Sequence, residues 1–358
     1  MAATRSRSRS TALARLAALA VLAVLMGVGL VPGAEAAAPR PFVAQPLVAR
    51  SGAAFVPAGG ANPINARGLV AGSTSVGGVD RAAVFNLKTR KLRVLPAFPG
   101  QATYAVDINN VREVAGEVRG PLGASQAFSW SLRTGKVTTL KSPGASITSA
   151  SAINARGVVV GSATSATSTY AVVWKVRKKR QLTIPGMQDA VGINNRGWVI
   201  GTRIDTSPEI ENHALIWNPT TRKLRDLKPL SDDDGAQPTS INKHGVVVGT
   251  SYSVSRDDLV LRPVLWRRPA ATPCRLSESV GTNWASAVND RGQVVGAEID
   301  FADEHTRAVL WNACGRPSRT LSESPEGSYA VATGINNRGQ IVGTIGPLGV
   351  QWKRSPRS

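Results

Sequence analysis

The chain has three histidines, two cysteines and only 23 acidic residues, set against 43 lysines and arginines in 358 positions. His213, His244 and His305 make no ligand spacing with Cys274 and Cys314, which argues against a zinc-type centre. Gly-x-Ser-x-Gly, His-Glu-x-x-His, the P-loop and a Cys–His pairing are all missing. The common sequence marks of a serine hydrolase, a zinc protease, an NTPase and a cysteine protease are therefore missing too. After residue 31 no segment is apolar enough to cross a bilayer. The 35 glycines and 22 prolines exclude a long coiled coil and favour strands joined by turns.

The one long apolar run lies at the start. Arg5, Arg7, Arg9 and Arg15 precede an Ala/Leu/Val stretch over residues 16 to 31, and Ala34-Glu35-Ala36 supplies a small-x-small cleavage site. Residues 1–36 thus read as a secretion signal of the general export type. There is no Arg-Arg pair for a twin-arginine route and no cysteine for a lipid anchor. The competing reading is an uncleaved anchor, for which the run is short against a span of about 20 residues. The mature protein is expected outside the cytoplasm as a monomer. In such an oxidising compartment Cys274 and Cys314 are expected to pair, two free thiols being the alternative.

Internal repetition is the dominant signal. Ile64-Asn65-Ala66-Arg67-Gly68-Leu69-Val70-Ala71-Gly72 and Ile335-Asn336-Asn337-Arg338-Gly339-Gln340-Ile341-Val342-Gly343 share one pattern. Its seven copies are marked by Asn65, Asn109, Asn154, Asn194, Asn242, Asn289 and Asn336, spaced 44, 45, 40, 48, 47 and 47 residues apart. Seven positions after each asparagine stands a glycine, from Gly72 to Gly343. A large aromatic ends a later apolar stretch in every unit: Phe85, Trp130, Trp174, Trp217, Trp266, Trp311 and Trp352.

Each unit reads as four short strands. A small apolar strand leads into an Asn-x-x-Gly hairpin turn, where glycine supplies a positive φ. A continuous apolar strand follows, then the strand with the aromatic, then a more polar edge strand. In the second unit Arg112 replaces the turn glycine, so that turn is expected to be strained or built differently. Seven units of about 45 residues predict an all-β fold, a seven-bladed β-propeller of four-stranded blades over residues 60–352. The seventh unit lacks its edge strand, and residues 41 to 49, within an N-terminal segment 37–59, are expected to donate it and close the ring. Residues 353–358 form a basic tail. An open stack of β-units is the alternative, but no polar caps mark its ends.

The Ile-Asn-x-x-Gly-x-Val-Val-Gly pattern, with a tripeptide before tryptophan as in His213-Ala214-Leu215-Ile216-Trp217, resembles the HAF repeats of exported bacterial proteins. The variants Gln126-Ala127-Phe128 and Arg307-Ala308-Val309 depart from it at the histidine, so no role of that histidine transfers to them. The resemblance covers nearly all of residues 60 to 352. It implies an extracellular repeat protein with a propeller fold, and no particular reaction or ligand.

In a propeller of this connectivity, the turns after the first and third strands of every blade share one face. Twenty-nine basic residues fall there against four acids, Asp107, Glu113, Asp226 and Asp290, while the opposite face holds eighteen acids and eight bases. Such a basic disc would attract extended polyanions with salt-dependent affinity. Candidates among extracellular and cell-envelope polyanions are wall teichoic polymers, acidic polysaccharides, phospholipid head groups and released DNA. Solubility of turn tips is the alternative explanation. Arg67, Arg156, Arg196, Lys243, Arg291 and Arg338 are expected to ring the central opening, with Lys175, Arg177, Lys178, Lys179 and Arg180 extending the patch outward. The patch lacks interleaved aromatics, so specific nucleic-acid recognition is not expected.

The acidic loops at Asp257-Asp258 and Asp300 to Glu304 could supply oxygen ligands for calcium, although no EF-hand spacing is present. A carbohydrate-active or lactone hydrolase with axial carboxylates is the second functional reading. The acids nearest the axis, Asp107, Asp189 and Asp290, do not form a repeated pair. A binding module rather than an enzyme is the expectation.

Overall fold

The computed structural model describes residues 42–60, 62–120, 124–205, 211–255, 258–268, 271–278, 282–300, 305–312, 314–325 and 328–354. The expected secretion signal, Arg357 and most of the expected basic tail lie outside the described residues. Seven four-stranded antiparallel sheets form the blades of a β-propeller. The first blade runs outward from the axis as Val56–Pro57, Leu69–Val76, Val79–Asn86 and Leu92–Val94. Blades two to six repeat that order. The seventh is built from Ala330–Ile335, Ile341–Ile345 and Leu348–Arg354, and its outermost strand is Phe42–Pro46 from the other end of the chain. That strand pairs antiparallel with Leu348–Arg354, Phe42 opposite Arg354 and Pro46 opposite Val350. The expected ring closure is thus present, and it satisfies one edge of the seventh blade.

The hairpin turns after the innermost strands behave as their residues dictate. Gly68, Gly157, Gly197, Gly245, Gly292 and Gly339 have φ between +71° and +90°. Arg112 adopts the same left-handed conformation at φ +67°, so the turn is strained rather than rebuilt.

The second glycine has a different physical cause. In blades two to seven the innermost strand contains a bulge, and the residue just before it pairs with that glycine, as Ala190 with Gly201 and Ala285 with Gly296. A Cβ at Gly201 would lie 2.0 Å from the Asp189 carbonyl oxygen, and one at Gly161 would lie 1.9 Å from that of Ser149. The invariant seven-residue interval therefore marks a close approach of two backbones.

The apolar core is divided among the interfaces between adjacent blades. One cluster joins Ala71, Val84 and Leu95 of the first blade to Val114, Phe128 and Trp130 of the second. Another joins Phe55, Val70 and Phe85 to Val342, across the closure. All seven aromatics of the repeat series are buried in such clusters, as a core role requires. The indole N–H groups of Trp174 and Trp266 donate to the Lys141 and Lys228 carbonyls at 2.9 and 2.7 Å. Cys274 and Cys314 form a disulfide with Cα atoms 5.9 Å apart, tying the outermost strand of blade five to blade six. Among the described residues no helix is long and apolar enough to cross a membrane.

Candidate functional site

At the axis, the seven motif asparagines form a closed circle. Each carboxamide nitrogen donates to the backbone carbonyl of the equivalent asparagine in the next blade. The bonds run from Asn65 to Asn109 at 3.0 Å, Asn109 to Asn154 at 2.9 Å and Asn154 to Asn194 at 3.1 Å. They continue from Asn194 to Asn242 at 3.1 Å, Asn242 to Asn289 at 3.1 Å, Asn289 to Asn336 at 3.2 Å and Asn336 back to Asn65 at 3.0 Å. Each side-chain oxygen stays within its own turn. That of Asn194, for example, accepts the N–H groups of Arg196 and Trp198, both at 3.0 Å. Asparagine alone carries both donor and acceptor at this length, which accounts for its presence in every blade.

The residue after each of these asparagines lines a cavity of about 160 Å³ on the axis, opening on the hairpin face. A second ring of contacts connects these residues, and it is incomplete. The N–H groups of Ala66, Ala155, Lys243 and Asp290 donate to the side chains of Asn110, Asn195, Asp290 and Asn337 in the following blades, at 2.8, 2.9, 3.0 and 2.8 Å. The Lys243 ammonium lies 3.4 Å from Asp290, whose carboxylate also accepts from the Asn337 carboxamide at 2.6 Å.

Of the six cations expected around the opening, only Lys243 lines it. The reason is register: Lys243 follows its asparagine directly, whereas Arg67, Arg156, Arg196, Arg291 and Arg338 stand one residue further on. These five are exposed, and among the described residues none is in an ion pair. They form an outer circle around the hairpin face. Lys175 ends the third strand of blade three, Arg180 begins the fourth, and a 3₁₀ turn at Val176–Lys178 joins them, with Lys179 at φ +49°. All five cations of this cluster are exposed. Arg177 nevertheless reaches across to Glu113 of the second blade at 3.0 Å, and Glu113 also accepts from the Asn109 carboxamide at 2.9 Å. A Cβ on Gly157 would lie 2.7 Å from Glu113, so the glycine makes room for this bridge. The sixty-four-residue separation of Glu113 and Arg177 hides the bridge from local sequence reading.

The three acids nearest the axis are placed differently from one another. Asp290 is the one that lines the opening. Asp107 is buried and accepts the N–H groups of Ile108 and Ile153, both at 2.7 Å, linking blades two and three. Burial pushes its carboxyl up to about 7 against those two bonds. Burial also raises Asp189, opposed by the Ser162 hydroxyl and the Ala190 N–H. Of the calcium candidates, Asp257, residues 301–304 and the side chain of Asp300 lie outside the described residues. Among the described residues no group of three or more His, Cys, Asp or Glu is arranged to hold a metal ion. His213 sits among carboxylates, with Nε2 3.2 Å from Asp205 and 3.4 Å from Glu211. Trp198 borders a second cavity of about 90 Å³ beside Lys223 and Arg225, and Trp284 is partly exposed.

No family model matches the chain, and no curated protein matches it. Solved structures do. Oligogalacturonate lyase from Vibrio parahaemolyticus aligns with a TM-score of 0.58 and 12% identity, over 88% of this chain and 94% of that one. The β-propeller domain of the Trilobed protease from Pyrococcus furiosus, described as having an open velcro topology, aligns at 0.55 and 10%, over 85% and 95%. TolB from Acinetobacter baumannii aligns at 0.44 and 9%, over 78% of this chain, which spans 60% of the length of that protein. At these identities the likeness shows the fold alone, a seven-bladed β-propeller.

Proposed function

We propose that this protein is a secreted binding module of the HAF-repeat type that contacts polyanionic cell-envelope or extracellular polymers through its hairpin face. The observation that supports this most is the circle of Arg67, Arg156, Arg196, Arg291 and Arg338, exposed at one repeat position and without ion pairs among the described residues. The Lys175 to Arg180 projection widens that surface. Unpaired guanidinium groups on a rigid ring supply phosphate- and carboxylate-binding forks at regular intervals. The disulfide fits an oxidising compartment, as the proposed export requires.

The test is binding of the chain from residue 37 to teichoic acid, polygalacturonate and DNA over a salt series, with the triple variant Arg196→Glu, Arg291→Glu, Arg338→Glu alongside. Saturable binding to one polymer that survives about 0.15 M salt, where screening acts over about 8 Å, and that disappears in the variant supports the reading. Equal binding to all three that vanishes at that ionic strength would reduce the face to a solvated surface.

A further inference from the structure

The incomplete second ring at the axis carries an inference that holds whether or not the outer face binds polymer. Around the opening, the N–H after each motif asparagine is met by a side-chain oxygen from the next blade wherever that blade offers Asn or Asp. Four of the seven are met in this way. The N–H groups of Asn110, Asn195 and Asn337 face Ala155, Lys243 and Ala66, which carry no side-chain acceptor. No other partner is present for these three among the described residues. The acceptors that meet the equivalent N–H groups line the cavity, and so do Asn110, Asn195 and Asn337, whose unmet N–H groups therefore border the same space. The Lys243 ammonium stands at its rim, and the single lining carboxylate, Asp290, is already engaged by Lys243 and Asn337.

We infer that the axial cavity is an oxyanion site, in which a phosphate or carboxylate group is held by the backbone N–H groups of Asn110, Asn195 and Asn337 with the Lys243 ammonium beside it. Backbone N–H groups converging on one concavity from a fixed scaffold bind anions without reorganising. The blade ring supplies that scaffold. Donors without acceptors beside an ammonium suit an oxyanion, whose oxygens accept without offering a competing proton. A cavity of about 160 Å³ admits such a group with accompanying water.

The repeat itself supplies the variant for a test. Asparagine at this position is native to three blades, so Ala66→Asn and Ala155→Asn should cap the Asn337 and Asn110 N–H groups as Asn110 caps that of Ala66. Amide resonances are followed by two-dimensional NMR during titration with inorganic phosphate, and separately with acetate, at constant ionic strength. In the wild type the Asn110, Asn195 and Asn337 amides should shift and saturate together, and the two titrations rank phosphate against carboxylate. In the double variant the affinity should fall about tenfold or more, the expected result of losing two hydrogen bonds to a charged group. Lys141→Ala, exposed on the face opposite the hairpins, should leave the titration unchanged. Shifts that never saturate, that centre on the outer arginines, or that persist unaltered in the double variant would overturn the assignment. Should the double variant fail to fold, the wild-type pattern of the three amides decides alone.

Discussion

Replacing Asn154 by alanine probes the axial circle most cleanly, because this asparagine makes only the three bonds of the shared pattern. Its carboxamide donates to the Asn194 carbonyl at 3.1 Å, and its oxygen accepts from Arg156 and Val158 at 3.0 and 3.1 Å. Alanine removes one of two donors to the buried Asn194 carbonyl, which keeps the Gly197 N–H at 2.9 Å, and leaves two half-buried N–H groups without an acceptor. The lost carboxamide bond costs about 0.5–1.5 kcal/mol, and each N–H, reachable by water in part, about 0.5–1 kcal/mol, for a sum near 2.5 kcal/mol. For a domain of this size that corresponds to a fall in Tm of roughly 6 °C. The assay is reversible urea and thermal unfolding followed by tryptophan fluorescence and circular dichroism, whose coincidence establishes a single transition. Asn154→Asp sharpens the test. It keeps both acceptors but sets an oxygen against the Asn194 carbonyl, so its folded-state pKa must lie above the ordinary carboxylate value. The deficit of this variant relative to wild type should therefore shrink below about pH 4 and grow as pH rises through the raised value. An alanine variant within about 1 kcal/mol of wild type, together with a pH-independent deficit for the aspartate, would refute the view that the circle holds the axis together.

Arg112→Gly should stabilise the protein by about 0.5–1 kcal/mol in urea unfolding, since relief of a left-handed arginine outweighs the added freedom of the unfolded chain. Cys274→Ser with Cys314→Ser should lower stability by about 4 kcal/mol on the loop-entropy model for a 40-residue separation, read as a drop in Tm that dithiothreitol reproduces in the wild type. Asp107 is raised to about 7 in the folded state from 3.8, so the stability it contributes is complete below about pH 4 and lost as pH rises through 7. Wild type should accordingly lose more stability than Asp107→Asn between pH 5 and 8, and parallel pH profiles would count against that assignment.

The parts of this fold that were legible in sequence are those where one physical demand recurs seven times. The turn glycine, the glycine beneath the bulge and the buried aromatic each answer a backbone or packing need common to all blades, so spacing alone reveals them. The strand at residues 42–46 was legible by subtraction, because a unit without its edge must find one. Features that break the repeat were not. Lys243 and Arg196 differ by one residue of register, which moves one into the cavity and the other outside it, and no periodicity distinguishes the two. The Arg177–Glu113 bridge and the clamp of Asp107 on Ile153 join adjacent blades through residues that only those blades contain. Arg112 was recognisable as an exception, but whether the turn would change or the arginine would bend depended on the surrounding bonds, which hold the turn in its shared shape.

Ring closure also governs the order of events during synthesis. Phe42 and Arg354 are sheet partners about three hundred residues apart in the chain. An emerging polypeptide therefore holds its first strand unpaired until nearly the last has appeared. Pairing at such separation makes folding slow and leaves a sheet edge exposed in the interim. For the export proposed above, that delay is an advantage, since a chain crossing a membrane unfolded cannot complete its ring until the final blade is across.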